Sequence, residues 1–345
     1  MNWSLECNGK HFYNKLQALQ EQRLSKAGLY FNTPAEYDNT DFSTQDNSTL
    51  GELCKQEAQK IRDTHEKVVI WYSGGSDSHY VLQTFINNNI KVDELILVKS
   101  GFASADFEID DYALPFARST GIKTTVKHPD MNYYHKFYVE QNEQLGTAND
   151  FWHHFRLNNH FENLQHHDTD GVAHLFGKEK PKLCFVDDEW YAYILDVEFT
   201  HQPHQINFFC DNPLIYRKQC QMVMEQIIEH KDVKEYNHVT NYNEHQDFWN
   251  RAIGRYTDNP YPLKQLSVSG QFNNKDHLAI QESPDNFVEM WRDRNTQLIK
   301  LYGAESFNNG DPAMGTVGVF SKFYGLTQHK IMTVDQLFPN GFVLI

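Results

Sequence analysis

The chain has 345 residues, a formal charge of −15, and 40% apolar and 14% aromatic side chains, enough for one large or two medium cores. The acidic balance, with no run of Lys or Arg, excludes an extended footprint on a nucleic-acid backbone. No apolar run nears the ~18 residues of a membrane span, the opening Met1-Asn2-Trp3-Ser4-Leu5-Glu6 lacks an export-signal pattern, and Cys7, Cys54, Cys184, Cys210 and Cys220 form no C-x-x-C pair. The expectation is therefore a cytoplasmic protein with reduced thiols, no membrane partner and no zinc ribbon or iron–sulfur centre.

Residues 1–48 read as a polar N-terminal extension, with a Leu-bearing helical stretch over Phe12–Leu24 and an Asn-, Asp-, Thr- and Ser-rich loop from Asn32 to Ser48. Thr49-Leu50-Gly51-Glu52-Leu53 opens a helix that runs to about His65. The apolar stretch 68–72 reads as a strand, ends in glycines, and gives way to a helical pattern through Asn88. Glu94–Lys99 is a continuous apolar run typical of a buried parallel strand. Over Asp106–Thr120, residues Ile109, Tyr112, Ala113, Phe116 and Ala117 keep helical spacing; Pro115 can kink or split that helix and Gly121 can close it. Lys123–Lys127 and Gly171–Leu175 complete a set of four strands, with helix expected over the His-, Asn-, Phe- and Tyr-rich 131–168. Beyond residue 200, Pro213–Glu229 and Asn286–Tyr302 read as amphipathic helices between Pro- and Asn-rich loops. Strands alternating with helices imply an α/β fold around a doubly wound, mainly parallel sheet with right-handed crossovers. The division expected is 1–48, 49–200 and 201–345, the last region mixed and mostly helical. Ligands of such sheets sit beyond the carboxyl ends of the strands, which puts 73–78, Lys99-Ser100 and Lys127-His128 on one rim.

The most informative stretch is Ser73-Gly74-Gly75-Ser76-Asp77-Ser78. Strand, glycine turn, helix is the architecture of a phosphate cradle: glycines let the backbone approach an anion, and the turn amides and the positive helix end face it. Three serine hydroxyls add donors, and Asp77 beside phosphate makes sense with a cation such as Mg²⁺, which takes carboxylate and phosphate oxygens together. The bland alternative is a tight turn with Asp77 as a helix N-cap. Neither the Walker A spacing nor G-x-G-x-x-G occurs in the chain.

S-G-G-S-D-S after a buried strand and before a helix resembles the PP-loop of the ATP pyrophosphatase (adenine nucleotide α-hydrolase-like) superfamily, specifically over 66–128 and weakly to about 200. The order helix, strand, SGG-x-DS is similar to asparagine synthetase-like synthetase domains, and compact PP-loop proteins of this layout are familiar among bacteriophage-encoded proteins. The resemblance implies a Rossmann-like fold that binds ATP and Mg²⁺ and cleaves between the α- and β-phosphates. It implies an adenylated carboxyl, amide or carbonyl oxygen of a small-molecule substrate, then attack by an amine or ammonia. Position 2 is Asn, not the glutaminase cysteine, so nitrogen would come from free ammonia, another amine or an ammonia-supplying partner; a homodimer is also compatible. By the same resemblance Ser73, Gly74, Gly75, Ser76, Asp77 and Ser78 would hold the pyrophosphate end, and Val98, Lys99 and Ser100 would lie near adenine and ribose. Lys178 and Lys180, in a Lys-rich turn at a strand end, are candidates for charge neutralisation, against a solvated turn. Asp187, in Val186-Asp187-Asp188-Glu189, is a candidate second Mg²⁺ ligand beside Asp77, matched by position rather than by motif, against an exposed acidic turn. Lys322, between aromatics, is a candidate catalytic lysine, against a strand with one exposed lysine.

Two alternatives stand beside the adenylating enzyme. A PAPS reductase-like or sulfur-transfer enzyme needs a tail cysteine or C-x-x-C, and the last cysteine is Cys220. A nucleotide-binding module without turnover needs only the loop. His167, Asp168, Asp170 and His174 can be drawn as a metal site, though scattered surface histidines are commoner among 18.

Overall fold

The computed structural model describes residues 3–12, 15–99, 106, 108–128, 171–177, 181–196, 205–231, 233, 236–237, 248, 252, 296 and 318–339. The polar N-terminal region forms strands β1 (Ser4–Cys7), β2 (Lys10–Phe12) and β3 (Leu29–Asn32) in an antiparallel sheet ordered β2-β1-β3, with helices α1 (Lys15–Ser25) and α2 (Ala35–Asp38). Helix α3 (Leu50–Thr64) begins with a reciprocal cap: Thr49 Oγ1 accepts from the Glu52 N–H at 3.2 Å, and Glu52 Oε2 accepts from the Thr49 N–H at 2.7 Å.

Next comes the expected α/β unit. Strands β4 (Lys67–Trp71), β5 (Glu94–Val98) and β6 (Thr124–Lys127) join β7 (Val172–Phe176) and β10 (Gln205–Asn207) in a five-stranded sheet ordered β10-β7-β4-β5-β6. Every pairing in it is parallel. Helix α4 (Ser76–Asn87) links β4 to β5. The β5–β6 connection holds a π-helix, Glu108–Ala113, and helix α5 (Leu114–Ser119). The expected helix is continuous but changes from π to α just before Pro115, which stands in the first turn of α5, where its missing N–H costs nothing. Gly121 follows α5 at φ +73°, the left-handed closure glycine supplies.

Alternation along the strands gives the parallel sheet two apolar faces. Val68, Ile70, Leu95, Leu97, Ala173 and Leu175 pack into the main core, which also takes Ile61, Val81, Phe85, Ile109 and Ala117 from the helices. Val69, Trp71, Ile96, Val172 and Phe176 form a separate cluster on the opposite face.

A second five-stranded sheet, ordered β11-β8-β9-β12-β13, is antiparallel. Its strands are β8 (Lys182–Val186), β9 (Glu189–Tyr193), β11 (Tyr236–Asn237), β12 (Phe323–Gly325) and β13 (Ile331–Met332). Helix α6 (Pro213–His230) starts at Asn212, whose side chain accepts from the Leu214 N–H at 2.9 Å, and α7 (Val334–Leu337) follows β13. Beyond residue 200 the described residues are mixed: α6 and α7 lie beside the short strands β10, β11, β12 and β13, which the sequence reading did not place. These strands have two or three residues each, too short to carry a two-residue hydrophobic period. The expected helices over 131–168 and 286–302 lie outside the described residues, apart from Thr296.

Long-range polar contacts tie the N-terminal region to the later chain. Lys15 Nζ lies 2.9 Å from Asp196 Oδ2, both side chains buried. Trp3 Nε1 donates to Asp211 Oδ1 at 2.9 Å, and the Phe31 N–H donates to the Phe320 carbonyl at 3.1 Å. Tyr37 Oη donates to the Cys210 carbonyl.

Candidate functional site at the carboxyl end of the parallel sheet

The S-G-G-S-D-S turn leaves the carboxyl end of β4, the central strand. The chain steps from β4 to β5 to β6 in one direction, while β7 lies on the other side of β4, so strand order reverses beside the turn. Crevices at such reversal points are where open α/β sheets bind ligands.

Gly74 has φ +73°, a conformation that side chains rarely adopt. A Cβ built there would lie 2.6 Å from Ala113 Cβ at the end of the π-helix. Gly75 is the N-cap of α4 and no side chain caps the helix. The alternative that Asp77 serves as N-cap is thereby excluded; Asp77 stands half-buried in the first turn, where a carboxylate is favoured by the helix dipole.

Hydroxyls brace the turn from within. Ser78 Oγ accepts from the Ser73 N–H at 3.2 Å, lies 3.1 Å from Ser73 Oγ and donates to the Gly75 carbonyl at 3.2 Å. The Gly75 N–H donates to Ser73 Oγ at 3.3 Å. Ser78 is buried, so its hydroxyl shapes the turn, whereas Ser73 is exposed. Tyr72, the residue before the turn, pairs its hydroxyl with His79 Nδ1 at 2.9 Å, linking the strand end to the first turn of α4. The His79 ring lies 4.6 Å from the Phe116 ring, and burial pulls its pKa down to about 4.

Lys99 lies on the same rim, at the end of β5, and its N–H donates to the Lys127 carbonyl at 3.0 Å. Its ammonium sits 2.6 Å from Asp110 Oδ1 in the π-helix, so the residue expected near ribose is joined to the segment that packs on Gly74. Val98 packs partly buried against the cluster of Val69, Trp71, Ile96, Val172 and Phe176. Ser100, Lys178 and Lys180 lie outside the described residues. Gly177 is described and meets the turn: a Cβ on it would lie 2.5 Å from the Ser78 nitrogen. Reading Gly177 as part of a Lys-rich turn missed this contact; a glycine directly after a strand was the available signal.

Asp187, Lys322 and His174 have described surroundings of their own. Asp187 and Asp188, at φ +50° and +59°, form the two-residue turn between β8 and β9 and are exposed. That is the left-handed pair a tight hairpin uses. The five residues of β8, about 16 Å at ~3.3 Å per residue, separate Asp187 from Pro181. Lys322 precedes β12, and its ammonium is 2.5 Å from Asp38 Oδ2, which lies in α2; Tyr324 Oη donates to the other oxygen at 3.2 Å. No described contact joins Asp187 or Lys322 to residues 73–78. Of the residues drawn as a histidine metal site, His174 is buried in β7 and receives the Trp71 indole N–H at 3.1 Å; His167, Asp168 and Asp170 lie outside the described residues. Among the described residues no group of three or more His, Cys, Asp or Glu is placed to hold a metal ion.

No model of a known protein family matches the chain, and no curated protein matches it. Among the described residues, no helix is long and apolar enough to cross a membrane.

Proposed function

We propose that the chain is an ATP-dependent adenylating enzyme of the PP-loop type, which binds ATP with its β- and γ-phosphates against residues 73–78 and cleaves it to AMP and pyrophosphate. One observation carries the reading: a Gly-Gly turn, left-handed at Gly74, stands between a central parallel strand and a twelve-residue helix where the strand order reverses. Backbone amides at that position suit a large anion. Asp77 in the first turn fits Mg²⁺, which binds through one or two carboxylates plus phosphate oxygens and needs no all-protein cage. When bound, the ion would neutralise charge developing on the phosphates.

The chain's own groups would act mostly by positioning. Lys99, fixed by Asp110, would orient the ribose end of the nucleotide. Lys178 and Lys180, which follow Gly177 in sequence, would bring positive charge to the leaving pyrophosphate. The acceptor would be a carboxyl, amide or carbonyl oxygen of a small molecule, attacked in turn by an amine or ammonia. A doubly wound sheet belongs to the same reading: β7 lies on the opposite side of β4 from β5 and β6, and the right-handed rule sends a crossover in that direction over the opposite face. Burial of all five cysteines favours this chemistry over the thiol-dependent branch. A cytoplasmic location accords with those reduced thiols.

Chromatography of the products formed from Mg·ATP with candidate acceptors tests the proposal. AMP and pyrophosphate are expected; ADP as the main product sinks it.

A further inference from the structure

Gly177 follows β7 directly, and its φ is not in the left-handed region, so conformational freedom does not account for a glycine there. Space does. A Cβ at 177 would stand 2.5 Å from the Ser78 nitrogen, 2.6 Å from the Asp77 carbonyl carbon and 2.8 Å from the Asp77 oxygen. All three are backbone atoms, so no side chain can swing aside. The third glycine of the dinucleotide-binding fingerprint serves the same purpose, close packing of helix on strand beside a phosphate site. Gly171, at the other end of β7, differs: its φ is +73°, and its Cβ would meet only the Glu66 side chain, at 3.2 Å.

The turn has little room to retreat. Ser78 is bonded to Ser73 and Gly75 on the inner side of the turn, so moving its peptide drags the whole loop. Behind the loop stands Ala113, close enough that even a methyl on Gly74 would overlap it. The loop is thus held between the carboxyl end of β7 and the π-helix. The Ser78 N–H belongs to the first turn of α4, whose amides have no partner within the helix, and a side chain at 177 would displace its peptide.

We propose that Gly177 is a positioning residue for the 73–78 loop: its bare Cα sets the height of the Asp77–Ser78 peptide and leaves that N–H open to the nucleotide. The proposal rests on the nucleotide reading above. G177A should raise the dissociation constant and KM for Mg·ATP at least tenfold, with kcat changed far less, while G171A, at the opposite end of the same strand, leaves affinity within about twofold. In the ligand-free protein, amide hydrogen exchange at 74–79 should accelerate in G177A and not in G171A. Adding A113G to G177A opens space behind the loop and should recover part of the affinity and the protection; this double variant tests the same contact if G177A alone does not fold. Unchanged affinity and exchange in G177A overturn the proposal, as does equal loss in G177A and G171A, or a folded double variant without recovery. Wild-type protein that binds no Mg·ATP overturns the nucleotide reading itself, and the exchange pattern still decides whether Gly177 sets the loop.

Discussion

The two five-stranded sheets are assembled in opposite ways. Strands β4, β5 and β6 of the parallel sheet follow one another within residues 67–127, and a left-handed glycine, Gly74, stands at the carboxyl end of β4. The antiparallel sheet draws on 182–193, 236–237 and 323–332, and polar contacts of long reach tie down its surroundings. Glu189 takes the Thr327 N–H at 2.9 Å and hydroxyl at 2.6 Å, Asp196 holds Lys15, and Asp38 holds Lys322. The parallel sheet carries a left-handed glycine turn at the end of its central strand, whereas polar groups around the antiparallel sheet join distant segments. Stability should therefore be most sensitive to polar changes around the antiparallel sheet, and nucleotide affinity to backbone changes at the parallel one.

The largest effect is expected from Lys15→Met. It leaves Asp196 buried without its counter-ion, and breaking a buried pair this way costs about 3–5 kcal/mol. Urea unfolding should show that loss; a shift below ~1 kcal/mol breaks the contrast.

Gly74→Ala comes next. The left-handed backbone costs a non-glycine residue ~1–2 kcal/mol, and the added methyl meets Ala113, so Mg·ATP affinity should fall at least tenfold while far-ultraviolet circular dichroism stays native. Native affinity would remove the loop from the site.

Two groups near the parallel sheet should differ in the sign of their pH dependence: His79 after β4 and Asp211, which accepts from the Asn207 N–H of β10 at 2.8 Å. His79, beside the loop, has its pKa lowered by burial to about 4, so the unfolded chain binds the extra proton first. Its contribution is complete above the ordinary value near 6.5 and is lost as pH falls toward 4. Asp211, beneath Trp3, has its pKa raised by burial to about 6. The folded chain therefore keeps that proton longer, and its contribution is lost as pH rises from 3.8 to about 6. His79→Gln and Asp211→Asn should remove opposite slopes from the unfolding free energy across this range; slopes of one sign would refute the assignment.

Smaller still is Gln219→Met. Among the described residues neither amide atom of this fully buried side chain has a hydrogen-bond partner, so an apolar replacement of similar volume should be neutral or stabilising by under ~1.5 kcal/mol. Marked destabilisation would reveal a polar contact. The smallest effect is expected from single cysteine replacements. Burial raises the thiol pKa values of Cys54, Cys184 and Cys220, all five thiols are buried, and turnover should survive each Cys→Ala change that folds.

The same contrast explains what was legible in the sequence. Val68–Trp71, Glu94–Val98 and the helix change at Pro115 could be read because apolar runs, glycines and a proline act locally. The loop was visible for the same reason. β1 and β3 were not, because strands of four residues gain their stability from partners far along the chain, such as Phe31 with Phe320. Asp187 carried an acidic signal that fits a cation ligand and a hairpin turn equally, and only the left-handed pair at 187–188 gives it a turn role. Lys322 gave no hint of Asp38, and the glycine after β7 signals a close approach without naming Ser78, since both contacts join distant segments.

The most direct test is calorimetric titration of the full chain with Mg·ATP, comparing wild type with Gly74→Ala and Asp77→Asn. The account predicts a single ATP site whose affinity falls with either substitution, and falls for wild type when Mg²⁺ is withheld. No binding by the wild-type protein, or equal binding by all three, would contradict it.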